Sequence, residues 1–337
     1  MSTLANLTFL DDWQREFAQS YTDPAELGKV LHLDAAWIEQ QSTARKLFPM
    51  RVPRPFAALM AQGNPNDPLL LQVLPLQSEF DKVDGFNQDP LAEQELSGPT
   101  GLLHKYKSRV LIVLRGGCAV NCRYCFRRHF PYHEHKVSKR ELANINAYLA
   151  QHTEINEVIL SGGDPLMAND DHLATLIKQI EAHPHITRLR IHSRLPVVIP
   201  QRLTKKFSSL LRESRLQAIL VLHINHANEI SSHLQQRLQE LKENGVWLFN
   251  QSVLLKGVND SVSILSTLSE KLFAAGILPY YLHQLDRVEG AAHFEVSEAE
   301  GRLIMQGLLR ELPGFLIPKW VREKGGEQSK TPLSLFD

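Results

Sequence analysis

The sequence predicts an α/β fold built on a parallel sheet. From about residue 108, short apolar runs rich in β-forming residues alternate with amphipathic helical runs, and this unit repeats six times. Polar residues gather where the predicted strands end. Strands that alternate with helices imply right-handed crossovers, so the C-terminal ends of the strands meet at one face. We therefore expect a functional site at that face, as in βα barrels.

The composition limits the classes of protein to consider. The chain has 337 residues, a formal net charge of +0 and 43% apolar residues, enough for one large domain or two smaller ones. Balanced charge predicts no general affinity for nucleic acid or anionic membranes. The first residues do not resemble a signal peptide, and no apolar run approaches the roughly 20 residues of a membrane span. Three cysteines outside a disulfide framework fit a reducing compartment, so we expect a cytoplasmic protein.

Residues 1 to about 100 are predicted to form helices and turns. Helix starts are expected at Asp11-Asp12-Trp13 and at Asp23-Pro24, because acidic residues and proline favour a first helical turn. A third helix is expected at 35–46, and prolines with Asp-Gly and Asp-Pro pairs predict turns after it. No motif here carries chemistry, so we expect a structural cap or an oligomer contact.

The rest of the chain follows the repeating unit. Strands are predicted at 110–114, 157–160, 188–192, 218–223, 246–250 and 278–283. Helices are predicted at 138–151, 170–182, 203–213, 228–244 and 261–275, the first opened by a capping box of Ser138 and Glu141. A helix at 297–311, a strand at 315–318 and a short tail complete the chain. The polar residues at the strand ends are Ser161, His192, Ser193, Arg194, His223, Asn225, Asn250, Gln251, His283 and Gln284.

All three cysteines lie in one loop directly after the first predicted strand. Cys118, Cys122 and Cys125 have the spacing C-x3-C-x2-C, which is close enough for one metal cluster. Three thiolates leave one iron of a four-iron cluster open for a ligand that is not protein. Two alternatives remain. One is a zinc site with a fourth ligand from His129, His133 or His135, and the other is a set of inert cysteines.

Two further motifs carry possible chemistry. Gly162-Gly163-Asp164-Pro165 follows a strand, where the glycines let the backbone approach a ligand and the acid can accept bonds from an ammonium; alone, it is a common turn. Near the end, Gly325-Gly326 precede Lys330 and Pro332. A lysine there is usually a solvated charge, but a flexible glycine-rich approach also suits an amine that binds an aldehyde.

Taken together, these motifs resemble the lysine 2,3-aminomutase family of radical S-adenosylmethionine (SAM) enzymes. The cysteine spacing with Tyr124 before the last cysteine is similar to the superfamily signature. The resemblance implies a partial (β/α)6 barrel at 101–295, a helical N-terminal region at 1–100 and a C-terminal segment at 296–337. It also implies a [4Fe-4S] cluster on Cys118, Cys122 and Cys125, with SAM bound to the open iron. Supporting segments include Asp89-Pro90-Leu91 with 101–106, 193–198, 225–229 and 250–260.

The resemblance assigns roles residue by residue. Lys330 would hold pyridoxal phosphate (PLP), although this chain has two adjacent glycines where the family often has more. Gly162, Gly163 and Asp164 would contact SAM, and Arg194 and Gln251 would contact the PLP phosphate or SAM. Arg127 would grip the substrate carboxylate, and Asp286 and Glu323 would bind the distal ammonium of lysine. The family usually has Asp at the second of these positions. The longer side chain of Glu323 therefore changes the fit of the pocket.

The resemblance also implies an activity and partners. The chain would move the 2-amino group of lysine to carbon 3 by radical chemistry, using an external electron donor. Residues 283–286 and the short tail resemble the bacterial branch that supplies (R)-β-lysine, made from (S)-α-lysine, for modifying elongation factor P beside its lysyl ligase. A homo-oligomer is possible. Two rivals are a radical SAM enzyme without PLP and a non-enzymatic iron–sulfur or zinc module. The sequence does not specify the electron donor, the oligomeric state, or whether the lysine is free or attached to protein.

Overall fold

A computed structural model describes residues 12–92, 99–130, 138–327 and 329–336. The N-terminal part forms five helices in the described ranges: α1 (Trp13–Ala18), α2 (Pro24–Val30), α3 (Ala35–Ser42), α4 (Arg54–Ala57) and α5 (Pro68–Leu71). The Asp12 carboxylate accepts from the Arg15 backbone N–H at 3.0 Å, and that of Asp23 accepts from Ala25 at 3.3 Å. These caps confirm the predicted helix starts, apart from Asp11, which lies outside the described residues.

The described strands form one sheet of nine, ordered along the chain from β1 to β9. They are β1 (Leu102–Tyr106), β2 (Arg109–Arg115), β3 (Glu157–Gly162), β4 (Arg188–Ser193), β5 (Gln217–His223), β6 (Trp247–Val253), β7 (Leu278–His283), β8 (Lys319–Arg322) and β9 (Thr331–Pro332). Strands β2 to β8 are parallel, whereas β1 and β9 add antiparallel edges. The sheet is not closed, which confirms the predicted α/β partial barrel.

Helices connect the parallel strands, and all of them except the short helix Leu195–Val198 lie where the sequence predicts them. They are α6 (Lys139–Gln151), α7 (Asp170–Glu181), α8 (Leu195–Val198), α9 (Lys205–Glu213), α10 (Ser232–Glu243), α11 (Val262–Ala274) and α12 (Glu298–Glu311). The strand predicted at 315–318 is wrong, because Gly314–Leu316 is a 3-10 turn and the strand begins at Lys319. Pro318 has no N–H to donate to a ladder, which fits a strand that starts after it. No helix of the described ranges is long and apolar enough to cross a membrane.

The alternation of side chains along the strands separates the core from the site. In β4, Leu189 and Ile191 are buried in the main hydrophobic cluster, whereas Arg190 and His192 alternate with them on the other face. The apolar core therefore lies between the sheet and its helices, and the inner face of the open barrel carries polar side chains. The predicted segment boundaries near 100 and 295 remain predictions.

Candidate active site

The three cysteines lie in the loop after β2. Cys118, Cys122 and Cys125 are free thiols of intermediate exposure, and the Cys125 N–H donates to the Cys122 carbonyl at 3.1 Å. Burial raises the pKa of Cys118, and burial together with the nearby Cys122 raises the pKa of Cys125 to about 11. The thiols therefore lie close enough to repel one another as thiolates. This donor set fits an iron–sulfur cluster, whose irons would neutralise the three charges.

The alternative of a single metal ion has no assembled site in the described part of the chain. No three His, Cys, Asp or Glu side chains there converge closely enough to hold one ion. A four-iron cluster fills the space between its thiolates, so its ligands stand further apart. The His129 ring Nε2 lies 3.4 Å from the Glu289 carbonyl oxygen, and His133 and His135 lie outside the described residues. The zinc ligand set is thus untested.

Glu79 of the N-terminal region holds the cysteine loop through two arginines. The Arg123 Nε donates to Glu79 Oε1 at 2.7 Å, and Arg128 Nη2 donates to Glu79 Oε2 at 2.8 Å. Arg123 also donates to the Phe48 carbonyl at 2.8 Å, and Arg128 to the Gly290 carbonyl at 3.1 Å. The side chains of these three charged residues are at most 1% exposed. The N-terminal region therefore caps the cysteine loop.

Arg194 is a buried cation beside one of the cysteines. Its Nη1 donates to Cys122 Sγ at 2.8 Å and to the Tyr124 hydroxyl at 2.6 Å. Its Nη2 donates to Gln72 Oε1 at 2.7 Å and to Glu229 Oε2 at 3.1 Å. Burial lowers the pKa of Arg194, but Cys122, Tyr124 and Glu229 outweigh burial and hold it above its usual range. The predicted cofactor contact of Arg194 therefore lies on the cluster side of the site.

The paired glycines allow a strand end to touch the cysteine loop. A Cβ on Gly162, whose φ is +117°, would lie 2.9 Å from the Arg115 carbonyl oxygen. A Cβ on Gly163 would lie 2.6 Å from the Gly117 carbonyl oxygen. The Gly163 N–H donates to the Arg115 carbonyl at 2.7 Å. The close approach seen here is thus backbone against backbone, and it fixes the path that leads to Cys118. A contact of either glycine with SAM remains a prediction.

The Asp164 carboxylate is fully used within the chain. Its Oδ1 accepts from the Ser193 hydroxyl at 2.7 Å and from the Leu166 N–H at 3.0 Å. Its Oδ2 accepts from the N–H groups of Arg194 and Leu195, both at 2.9 Å. Four donors occupy the acceptor positions of this carboxylate, which joins β3 to the start of α8. A contact of Asp164 with SAM remains a prediction.

Histidines at the ends of three strands form the polar floor of the site. The rings of His192 and His223 lie 5.9 Å apart, and Gln251 Nε2 lies 3.0 Å from His223 Nε2. Burial lowers the pKa of His192 and of His283, and it lowers that of His223 to about 3. The charge of Lys330 lowers all three further. The rings are therefore neutral and face the same region as Lys330.

Other polar residues at the strand ends serve the fold. Asn250 bonds the backbone of Ile224 through both its amide atoms, at 2.9 and 3.0 Å. The Gln284 side chain donates to the Val296 carbonyl at 2.5 Å and accepts from the Trp320 indole at 3.2 Å. These side chains thus join neighbouring segments and are not part of the floor.

The neutral histidines predict a pH-dependent stability. We expect the free energy of unfolding to fall by about 4 kcal/mol from about pH 7.5 to about pH 5.5, about 1.4 kcal/mol for each of His192, His223 and His283. Below pH 6.5 the unfolded chain binds protons on these rings, whereas the folded chain does not. Urea unfolding at both pH values measures the change. In the H223Q variant, this fall in the free energy of unfolding should be smaller by about a third. A fall in H223Q equal to that in the wild type would contradict this account.

Arg127 lies beside the second strand of the parallel set. Its Nη1 donates to the Gly162 carbonyl at 3.1 Å, and its guanidinium lies 4.8 Å over the Phe126 ring. It is 8% exposed, and its charge contributes to the lowered pKa of His223 after burial and Arg194. A buried guanidinium facing the floor suits a carboxylate ligand, and the substrate role of Arg127 remains a prediction.

Lys330 directly precedes β9, and its ammonium pairs with Glu323 Oε2. The other oxygen, Glu323 Oε1, accepts from Lys105 Nζ at 3.4 Å and from the Tyr106 hydroxyl at 3.2 Å. Burial acts to raise the pKa of Glu323, but Lys330 and Lys105 hold it at about 2. Lys330, which the sequence predicts to hold PLP, and Glu323, which it predicts to bind substrate, therefore form an ion pair with each other.

Asp286 and Glu323 line one cavity of about 620 Å³ beyond the ends of β7 and β8. Its wall also includes Gln284, Glu298 and Arg322, and Arg322 pairs with Glu298 at 3.1 Å. The two predicted carboxylates thus border a common space. Their part in substrate binding remains a prediction.

Sequence reasoning missed three residues that organise the site. Glu79 had no recognisable motif, and its partner Arg123 lies 44 positions away. Lys105 and Tyr106 fell in a segment noted only for its resemblance, and they meet Glu323 across 218 and 217 positions. The local sequence contained no hint for Glu79, because its neighbours Gln77, Ser78, Asp81 and Lys82 are polar, as around an exposed residue.

Known proteins with similar sequences identify the family. Residues 112–263 match the model of the radical SAM superfamily. The chain is 54% identical over 326 residues to L-lysine 2,3-aminomutase of Escherichia coli, covering 96% of this chain and 95% of that protein. The Haemophilus influenzae protein of the same name is 52% identical over 320 residues, covering 95% of each chain. That of Clostridium subterminale is 33% identical, covering 96% of this chain and 78% of its own.

Among solved structures, a radical SAM methyltransferase from Sphaerobacter thermophilus aligns with a TM-score of 0.48 at 17% identity, over 70% of this chain and 73% of its own. The sequence relatives carry the assignment, because their identity extends over nearly the whole chain. By that identity, the chain belongs to the L-lysine 2,3-aminomutase family of radical SAM proteins.

Proposed function

We propose that the chain moves the 2-amino group of L-lysine to carbon 3, with a [4Fe-4S] cluster, SAM and PLP as cofactors. One observation carries the proposal. Arg194 donates to Cys122 Sγ at 2.8 Å and Arg127 donates to the Gly162 carbonyl at 3.1 Å, and after burial the charges of both, with that of Lys330, lower the pKa of His223. The partner of a cluster cysteine, the predicted carboxylate ligand and the predicted PLP lysine are therefore within electrostatic reach of one neutral ring.

The described residues suit each cofactor. Cys118, Cys122 and Cys125 would hold the cluster and leave one iron to SAM. Lys330 would hold PLP through its amine. When bound, the cluster with SAM supplies a carbon radical able to take hydrogen from an unreactive carbon, and PLP supplies an aldehyde that carries the migrating nitrogen. The neutral floor gives a region of low polarity, and Gln251 offers an amide to a cofactor.

The substrate residues follow from charge and position. Arg127 would bind the α-carboxylate with its fixed fork of donors, and the Ser161 hydroxyl, which accepts from Arg127 Nη1 at 3.5 Å, would help to orient that fork. Asp286 would bind the distal ammonium in the cavity beyond β7, with Glu323 as the second candidate. A lysine-length substrate would then extend from the floor toward this cavity.

The proposal extends to the product and its use. By the branch resemblance, the product is (R)-β-lysine, made for attachment to elongation factor P by its lysyl ligase. The chain is 54% identical to the Escherichia coli relative but 33% identical to the Clostridium subterminale relative, which supports placing it with the former. A cytoplasmic location, an external electron donor and a possible homo-oligomer belong to the same proposal.

Anaerobic purification followed by borohydride reduction tests the proposal. We expect iron–sulfur absorption, a PLP adduct that mass mapping assigns to Lys330, and β-lysine formed from L-lysine once SAM and a reductant are added. A cluster that cleaves SAM in a chain that never binds PLP would favour a radical SAM enzyme without PLP. A chain with neither SAM cleavage nor PLP would favour a non-enzymatic module.

A further inference from the structure

One segment of the N-terminal region lies directly against the cysteine loop. The Asn121 N–H donates to the Arg51 carbonyl at 3.2 Å, and the Asn121 side-chain amide donates to the Pro49 carbonyl at 2.8 Å. The Arg123 Nη1 donates to the Phe48 carbonyl at 2.8 Å. These two donors flank the second cysteine of the loop, so the segment contacts the chain on both sides of a predicted cluster ligand. The contacts use backbone carbonyls of the segment and do not occupy its charged side chains.

We call residues 45–54 the basic segment, because they include no Asp or Glu. Their four cations are Arg45, Lys46, Arg51 and Arg54. Arg45 pairs with Asp23 at 3.0 Å. In the part of the chain that the structure describes, the other three cations form no ion pair, and Lys46 and Arg54 are exposed. The surface beside the cysteine loop therefore carries positive charge that no ion pair neutralises.

The surroundings of the basic segment keep this excess of cations. The Arg51 guanidinium lies 4.5 Å from the centre of the Phe17 ring in α1. The charged residues of α1 and its cap are Asp12, Arg15 and Glu16, so the positive charges still outnumber the negative ones. Leu47, which is 42% exposed, and the exposed Pro49 lie among the cations. Apolar residues within a charged rim are the usual composition of a surface that binds another protein.

The proposed function requires an electron from outside the chain to reduce the cluster. Electron transfer slows steeply with distance, so a donor protein has to dock beside the cluster ligands. The basic segment is in hydrogen-bond contact with the loop that carries those ligands. A positive surface attracts a partner of opposite charge and raises its association rate by about 10-fold to 10³-fold at low ionic strength. Position and charge together therefore favour an acidic electron donor on this surface.

We propose that the basic segment is the docking surface for a small acidic one-electron carrier protein that reduces the cluster. The inference rests on the proposed function, because it requires a cluster on the three cysteines. The carrier is oxidised by one electron and the cluster is reduced by that electron, so no bond forms or breaks between the two proteins. Lys46, Arg51 and Arg54 attract the carrier, and Leu47 contacts it at the centre of the surface.

Charge reversal at two exposed positions tests the assignment. The variant is K46E/R54E, and the donor is an acidic flavodoxin reduced to its hydroquinone. We expect the second-order rate constant of cluster reduction, followed by absorbance, to be about tenfold lower than in the wild type at low salt. The difference should shrink as salt is added, because ions screen exposed charges. Dithionite is a small reductant that needs no docking surface, so it should reduce the cluster at close to the wild-type rate.

A control with the same change in net charge separates docking from overall charge. K205E/R212E also reverses two exposed cations, but they lie on α9, which no hydrogen bond of the described residues joins to the cysteine loop. Its rate constant with flavodoxin should stay within about twofold of the wild type. Arg54 donates to the Gln19 carbonyl at 2.9 Å, so K46E alone is a second variant that removes no hydrogen bond of the described residues. It should slow the reaction about threefold.

Binding to the metal-free chain measures docking without electron transfer. A fluorescence titration with oxidised flavodoxin should give a Kd about tenfold higher for K46E/R54E than for the wild type at low salt. An unchanged Kd and an unchanged rate constant for K46E/R54E overturn the docking surface, and so does an equal loss in K205E/R212E. A loss with dithionite as large as that with flavodoxin also overturns it, because the variant then damages the cluster site itself.

The same measurements distinguish this inference from the proposed function. If the wild type reduced by dithionite cleaves no SAM, the proposed function fails, and this inference fails with it. If dithionite supports SAM cleavage in every variant and flavodoxin reduces K46E/R54E as fast as the wild type, the proposed function stands and only the docking surface is removed.

Discussion

Replacing Glu79 with glutamine should lower the free energy of unfolding by about 3–5 kcal/mol and prevent iron loading, because it removes the counter-ion of two buried arginines. Arg123 and Arg128 both donate to this carboxylate, and all three side chains are almost completely buried. The neutral amide leaves two positive charges without compensation in the interior. Since Arg123 lies between Cys122 and Cys125, the loop that gathers the thiols should lose its conformation.

Urea unfolding of the metal-free chain and iron content after anaerobic reconstitution measure the two effects. The matched control is E213Q, which removes an exposed carboxylate paired with Arg212 at 3.5 Å. It should change the free energy of unfolding by less than about 1 kcal/mol and leave iron content unchanged. An E79Q chain as stable as the wild type and fully loaded with iron would contradict the proposed role of Glu79. An E79Q chain that is unstable but loads iron normally would limit Glu79 to a role in stability.

The parallel strands and most helices could be predicted because their causes are local. Apolar runs set β2 to β7, and capping residues such as Asp23 and Ser138 set helix starts within three positions of themselves. Strands β1 and β9 were missed and β8 was predicted a few residues too early, because these strands are short and carry polar residues, such as Lys105 in β1 and Lys319 in β8. These strands form because each pairs through backbone hydrogen bonds with a neighbouring strand. The local sequence pattern does not reveal such a partner.

In the candidate site too, local features could be predicted and contacts between distant segments could not. The cysteine loop and Lys330 could be found because their motifs lie within a few residues of sequence. The hydrogen bonds of Asp164 could not be predicted, because three of its four donors belong to residues 193–195, about 30 positions away. A carboxylate looks the same in sequence whether it binds a ligand or joins two segments. The Glu323 contacts could not be foreseen for the same reason, since they join β1 to the segment after β8.

Replacing Lys330 with alanine should lower lysine turnover by roughly 10³-fold, because no amine remains to hold PLP in position. In the described part of the chain, Lys330 makes no hydrogen bond to the cysteine loop, to Arg194 or to Glu79. Iron content and reductive SAM cleavage by K330A should therefore equal those of the wild type. The measurements are β-lysine formation, iron content, 5'-deoxyadenosine release without lysine, and borohydride trapping of PLP.

The C122S variant is the complementary test, because it removes a cluster ligand and leaves Lys330 in place. It removes the thiol that Arg194 contacts at 2.8 Å, so cluster content and SAM cleavage should fall together while PLP still attaches to Lys330. Loss of turnover in both variants, with cleavage kept in one and PLP kept in the other, requires two separate cofactor sites that act on one substrate. A K330A variant with normal turnover would remove PLP from the reaction and leave the cysteine loop as the catalytic part of the chain.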